Sequence, residues 1–403
     1  MTKIPKTLLL SWSIPPGMTG SSIIVANLAK QFSRDEMVVA GAYWMSSPPI
    51  TWQPEHPKLR YVALQPPGGT RGERWMRWAQ LPFILIAVLW LMLVERVQVV
   101  FTIYPDMIYL CVGYLASVIL RKPLLVYFHN TLVEARPKSS FAHWLQARVF
   151  ARAKYVLVMS EGMQKLYEEL YPSLRCAPLV HSFNDPLPTF DSVAEGVNSL
   201  HTPLRIAYSG SINRSNFGAV ETTATALCEL TDMTFTVYTG TGRATLKRLG
   251  LDFPGLTITS ASRDVLIEKL READVLLLLH GFTDTNTELE IRTIFPTKTI
   301  EYMLSGRPII ALLPGDSFLA DYLRRHDCAV LVTENDAEQL NAAIREVQAN
   351  TALRERLVRN ALCAVQQFSA PHVAAVLRSV MSEYVWTADR TPLEPSSISK
   401  VGK

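Results

Sequence analysis

The chain has 403 residues, 48% of them hydrophobic and only 19% charged, which excludes a disordered polypeptide and supplies two or three domains with real cores. Its net charge of +4, without a Lys/Arg run or a basic patch interleaved with aromatics, argues against a nucleic-acid partner and suits an anionic membrane surface. Cys111, Cys176, Cys228, Cys328 and Cys363 are scattered with no CxxC pair; they are expected to be small buried hydrophobes in a reducing compartment rather than zinc ligands.

The first apolar run, residues 6–12, is too brief for a signal peptide and is cut by Pro15-Pro16. A first β-strand of a cytoplasmic protein is the expectation. Pro15-Pro16-Gly17-Met18-Thr19-Gly20-Ser21-Ser22 then leads into an amphipathic segment, 23–32. Strand, glycine-bearing loop and helix open a Rossmann-like unit. Gly17 and Gly20 stand three apart with no third glycine, so the dinucleotide fingerprint is absent. A turn ending in Ser21 would present N–H groups to an anion or a sugar, and an ordinary serine-capped turn would look the same.

Residues 37–43 and 59–64 are expected strands. Residues 81–94 carry no charge but are too few to cross the ~30 Å hydrocarbon core of a bilayer. Arg71, Arg74, Trp75, Arg77 and Trp78 precede them, which suits an interfacial helix making peripheral membrane contact through 71–94. A helix packed against the sheet is the other reading. Strands at 97–103, 124–128 and 155–159 alternate with helices at 106–120, 141–151 and 161–170. His129 directly follows the strand 124–128, the end at which α/β sheets meet their ligands, although a lone His is more often structural.

Residues 186–203, rich in Pro, Ser, Asn and Asp, are expected to link a first domain, 1–185, to a second, 204–369. The strand 204–208 ends in Ser209-Gly210 and a polar loop holding Arg214, whose guanidinium can bind two phosphate oxygens at once. After strands at 235–239, 256–258 and 275–279, a polar loop, 281–292, feeds a helical segment opened by Pro296 and stopped by Gly306. Thr297 and Lys298 put a hydroxyl and an ammonium in its first turn, where free N–H groups favour phosphate. Glu301, one turn in, could hold two adjacent sugar hydroxyls; a solvated Lys–Glu pair would show the same spacing. Residues 370–386 are expected to return to the first domain as a helix, and 387–403 to be a disordered tail.

FPTKTIEYMLSGRPIIA, residues 295–311, resembles the nucleotide-sugar-binding segment of GT-B glycosyltransferases of retaining family 4. More loosely, PPGMTG at 15–20 and LVMSEGM at 157–163 resemble two other segments of that family. The resemblance implies an α/β architecture of the GT-B kind, two Rossmann-like domains facing across a cleft. It implies that Glu301 holds the donor ribose and that Gly210, Arg214, Thr297 and Lys298 hold its diphosphate. His129 would contact the transferred sugar and Arg214 would neutralise the leaving group, with Gly17, Gly20 and Ser21 forming the loop on the acceptor side. The implied partners are a nucleotide sugar and a glycan or lipid-linked acceptor in bacterial surface polysaccharide biosynthesis. No metal or other cofactor is called for, and the expected location is the cytoplasm at the inner face of the plasma membrane.

The chain departs from the family in two places. Thr293 stands where a glutamate is usual, with Glu288 or Glu290 as the nearby substitutes, and no lysine follows Arg214 before Lys247. The nearest approach to a metal-binding D-x-D is Asp284-Thr285-Asn286. A non-catalytic partner subunit of the same fold, or a sugar-nucleotide epimerase, are the alternatives.

Overall fold

A computed structural model describes residues 4–17, 20–44, 52–65, 72–228, 230–282 and 288–386. Met18, Thr19, Arg71, the Asp284-Thr285-Asn286 triplet and the stretch 387–403 lie outside the described residues. The chain forms two compact units, one reaching Asn184 and resuming at Phe368, the other spanning Asp185–Gln367.

The first unit begins β1 (Thr7–Ser13), α1 (Gly20–Ala29), β2 (Met37–Trp44), β3 (Lys58–Gln65), α2 (Glu73–Ala79) and α3 (Leu81–Val94). It continues β4 (Val99–Tyr104), α4 (Met107–Ile119), β5 (Leu124–Phe128), α5 (Ser140–Arg152), β6 (Ala153–Val158), α6 (Glu161–Leu170) and β7 (Cys176–Pro178). All seven strands are parallel, in the order β3-β2-β1-β4-β5-β6-β7. Helices on both faces explain why β4 (VVFTIY) and β5 (LLVYF) are apolar without alternation and wholly buried. The edge strand β3 is different: its Lys58 and Arg60 reach Glu95 at 3.0 and 3.5 Å, blunting the free edge.

The second unit holds α7 (Phe190–Asn198), β8 (Leu204–Ser209), α8 (Phe217–Cys228), β9 (Met233–Tyr238), α9 (Arg243–Arg248), β10 (Leu256–Thr259) and α10 (Arg263–Arg271). After these come β11 (Val275–Leu279), α11 (Glu288–Thr293), α12 (Lys298–Ser305), β12 (Ile309–Leu312) and α13 (Phe318–Arg325). β13 (Val330–Val332), α14 (Ala337–Ala349) and α15 (Thr351–Ala364) complete it. Its six strands are also parallel, ordered β10-β9-β8-β11-β12-β13. In both sheets the chain starts in the middle, moves to one edge and returns, which puts a topological switch point between β1 and β4 and another between β8 and β11. The chain ends its described part with α16 (Ala370–Trp386), which packs on α1 and β6 of the first unit.

Three expectations need correcting. Residues 186–203 are not a bare linker: Thr189 caps α7, and Val193 and Val197 bury one face of it in a cluster with Val358 and Leu362. Only Cys111, Cys176 and Cys328 are buried, while Cys228 and Cys363 are exposed. The apolar stretch before β4 is two helices, bent by 42° at Gln80. Pro82 in the first turn of α3 has no N–H to continue α2, and the Gln80 amide instead bridges the backbone of Leu64 on β3.

The choice between core and surface for residues 81–94 resolves into both. Ile84, Val88, Leu91 and Met92 face inward, where α3 packs on β3 and α4. Phe83, Ile86, Trp90 and Leu93 form the opposite stripe at the same helical period, and each is more than 60% exposed. No single helix among the described residues is long and apolar enough to cross a membrane.

Candidate functional site

At the switch point of the second sheet, the loop after β8 is organised by one phenol. Tyr208 ends its strand buried, and its hydroxyl donates to the Ser211 carbonyl at 3.0 Å. It accepts from the Asn216 amide at 2.9 Å and from the Lys298 ammonium at 2.8 Å. Asn216 also takes the Asn213 N–H, and Asn213 takes the N–H and hydroxyl of Ser215, so the turn carrying Arg214 is fixed from within. Arg214 itself is exposed on that turn. Tyr302 of α12 adds a second clamp, accepting the Ser209 N–H at 2.7 Å.

Gly210 is a requirement of this arrangement. Its φ is +125°, and a Cβ there would lie 2.9 Å from the Lys298 Nζ. The missing side chain lets the ammonium lie 4.6 Å from the Tyr208 ring centroid, a cation–π contact. Burial drives the Lys298 pKa down to about 8, with Glu301 pulling weakly the other way. The ammonium sits in the first turn of α12 on the Tyr208 hydroxyl with no carboxylate bonded to it among the described residues, and an arriving anion would favour its charged form. Thr297 precedes it at the helix start without a side-chain cap bond, and the Thr299 and Ile300 N–H groups turn back to the Pro296 and Thr297 carbonyls at 3.0 and 3.1 Å. Gly306 ends the helix in the left-handed conformation, as its position in the sequence anticipates.

Glu301 is paired with an arginine from another helix. One of its carboxylate oxygens is bonded by Arg263, the first residue of α10, which also lies 3.5 Å from Asp185. Burial raises the Glu301 pKa and Arg263 opposes that shift. His280, just beyond β11, is buried with no partner for Nε2 among the described residues. Burial, reinforced by the Lys298 charge, takes its pKa down to about 4, so the ring is neutral. Thr293, in place of the usual glutamate, is buried and spends its hydroxyl on the Leu289 carbonyl within α11. The side chains of Glu288 and Glu290 lie outside the described residues.

In the first unit, the β1–α1 loop and His129 come together. Gly17 closes a turn on the Ile14 carbonyl at 2.9 Å, and α1 starts at Gly20. Ser21 in its first turn places Oγ 3.4 Å from the His129 Nδ1. His129 is buried, and its Nε2 has no partner among the described residues. The His181 ring centroid lies 5.5 Å away; both its nitrogens and the Ser182 hydroxyl are also buried and without a partner among the described residues. Burial, and then each other's proximity, hold His129 well below the ordinary imidazole value, and burial takes His181 to about 4. Several buried polar atoms left unmade in one place are costly in a protein that keeps them for nothing.

Sequence reasoning missed Tyr208, Asn216, Arg263, His181 and His280. His280 follows VLLLL just as His129 follows LLVYF, so the signal was present. Arg263 had a weaker one, a cation opening a helix after a polar loop. Among the described residues no group of three His, Cys, Asp or Glu side chains is placed to hold a metal ion.

Residues 19–179 match the glycosyl transferase 4-like domain family. No curated protein sequence matches the chain. Among solved structures, sucrose-phosphate synthase from Thermosynechococcus elongatus superposes with a TM-score of 0.70 at 16% identity, covering 94% of this chain and 98% of its own. HepE of Anabaena, solved with UDP-glucose, gives 0.66 at 18% identity, covering 94% and 99%. An epimerase-type structure, the putative UDP-N-acetylglucosamine 2-epimerase of Listeria monocytogenes, gives 0.56 at 12% identity, covering 97% and 99%. Residues 19–179 are thus similar to a glycosyl transferase 4-like domain, and the two-sheet fold of the chain is the GT-B fold of these structures.

Proposed function

We propose that the chain moves a sugar, with retention of configuration and without a metal ion, from a nucleotide-diphosphate sugar to a lipid-linked or growing glycan. Surface polysaccharide assembly at the inner face of a bacterial membrane is the setting this implies. The observation that carries the reading is the Lys298 ammonium, lodged between Tyr208 and Gly210 in the first turn of α12. A cation at the positive end of a helix and a glycine with no room for a side chain make a diphosphate site at a sheet switch point. Anabaena HepE, of the same fold, was solved with UDP-glucose, which makes a uridine donor the first to try.

In this reading Lys298, Thr297 and Arg214 neutralise the charge that grows on the diphosphate as its bond to the sugar C1 breaks. The acceptor oxygen bonds to C1 on the same face, and its proton passes to the departing phosphate oxygen. Glu301, oriented by Arg263, holds the ribose. The neutral His129, with Ser21 and the turn at Gly17 and Gly20, orients sugar hydroxyls. Calorimetry and turnover with a panel of nucleotide sugars test this. One donor should bind and release sugar slowly, and Lys298→Met should lose both effects. No binding by any of the panel would sink the reading, and inversion at C1 in the product would sink the retaining step. One observation favours a silent subunit instead, the Arg263 bond closing one side of Glu301; binding without sugar release would identify that case.

A further inference from the structure

A cavity of about 640 Å³ opens in the first unit beside its switch point, lined by α2, the β4–α4 loop and the turn before α5. Four of its lining side chains are cations, Arg74, Arg77, Arg136 and Lys138, against one carboxylate, Asp106. Asp106 is already committed twice, capping α4 through the N–H groups of Ile108 and Tyr109 and pairing with Arg77. Arg77 is stacked over the Trp12 ring at 4.8 Å, and Arg136 donates to the Tyr104 hydroxyl at 3.1 Å. Among the described residues no carboxylate pairs with Arg74, Arg136 or Lys138. The positive end of α5, with no acidic residue in its first turn, adds to the field. Such a pocket suits an anion carrying more than one charge, and three exposed cations around one cavity leave the residue balance strongly positive.

What adjoins the cavity narrows the anion further. α2, which contributes Arg74, Arg77 and Trp78, is followed after the bend at Gln80 by α3 with its exposed stripe of Phe83, Ile86 and Trp90. Trp75, between the two cavity arginines, is also exposed. A water-soluble anion has no use for that stripe; an amphiphile with a charged head and a hydrocarbon tail uses both parts. We propose that this cavity seats the phosphate or diphosphate head of a lipid-linked acceptor, whose tail leaves along the exposed face of α3. The assignment rests on the transferase function proposed above, and its test is kept separate from turnover.

The full chain is titrated with farnesyl diphosphate, inorganic pyrophosphate and farnesol, following tryptophan fluorescence from Trp78 in the cavity wall. Farnesyl diphosphate should bind, and pyrophosphate and farnesol should bind at least tenfold more weakly. The exposed double variant R74Q/K138Q should lose about tenfold or more in farnesyl diphosphate affinity, while its UDP affinity, a property of the second unit, stays at the wild-type value. Wild-type affinity in the double variant, or displacement of farnesyl diphosphate by UDP, would overturn the site. Equal binding of pyrophosphate would overturn the lipid-linked acceptor and leave a free-diphosphate site. Farnesyl diphosphate binding with no nucleotide-sugar binding would instead remove the transferase function and spare the cavity.

Discussion

The two switch points share a topology and differ in how completely they are built. After β8, the loop is held from within: Tyr208 holds Ser211, Asn216 and Lys298, and Asn216 and Asn213 hold the turn, while the Ser209 and Thr299 hydroxyls and the His280 Nε2 nearby have no partner among the described residues. After β5 and β7, buried polar atoms have no partner among the described residues, at the His129 Nε2, both nitrogens of His181 and the Ser182 hydroxyl. A diphosphate presents one fixed pattern of charge, so a rigid, finished receptor suits it. Sugar hydroxyls vary in number and direction, and groups kept unpaired and neutral can donate or accept as required. The comparison teaches that one parallel-sheet design can serve as a preorganised anion site in one unit and as an unsatisfied hydroxyl site in the other.

The largest effect should come from the finished site. Lys298→Met removes the buried cation, and kcat/KM should fall by about 10²–10³, the usual cost of losing one charge stabiliser at the reacting centre. The Tyr208 hydroxyl keeps Asn216 and Ser211 as partners, so Tm should hold or rise; a large fall in Tm would mean the lysine is structural. Next comes the open site. His129→Ala should lower kcat by about 10–100-fold, within the range of a group that orients or exchanges a proton, and leave UDP affinity unchanged. Equal losses in both measurements would erase the division of labour between the units.

The pH dependence follows the same line at smaller size. Lys298 begins to lose its proton above about 8 rather than near the ordinary 10.5. A bound diphosphate favours the charged form, so affinity is full below that value and falls as pH rises through it. Between about pH 7 and pH 9 donor affinity should drop roughly tenfold by proton linkage, and Lys298→Arg should flatten the curve. A flat wild-type curve measured by calorimetry would remove the lysine from the diphosphate.

Much of this was legible because burial writes itself into composition. The unbroken apolar runs of β4, β5 and β11 mark parallel central strands, and Gly306 marks a helix end. The FPTKTIEY segment led to Lys298 and Glu301 in one turn of helix. What stayed hidden depends on partners far apart in the chain. Nothing near Tyr208 announces that its hydroxyl meets Lys298, and nothing near Glu301 announces Arg263. The helix α7 was concealed differently. Its Ser, Asn and Asp content reads as linker, yet Thr189 is its cap and Val193 and Val197, four apart, are its buried face. Pro82, which breaks the apolar stretch into α2 and α3, was visible and outweighed by the run of hydrophobic residues around it.

The smallest effects separate the two glycines that the sequence placed in equivalent loops. Gly210 has φ +125°, and a Cβ would press on Lys298 at 2.9 Å. Gly210→Ala should therefore cost about 1–2 kcal/mol in stability through a disfavoured backbone and a displaced side chain, and it should weaken donor binding with it. Gly20 opens α1 with nothing within 4 Å of where a Cβ would stand. Gly20→Ala should stay within about 0.5 kcal/mol of wild type, tending to stabilise because alanine favours helix. If its kcat nonetheless falls while Tm holds, the bare backbone at Gly20 is there for the ligand's approach. If Gly210→Ala also melts and binds like wild type, the Lys298 ammonium does not sit against that loop, and the contrast between a finished and an unfinished switch point loses its firmest support.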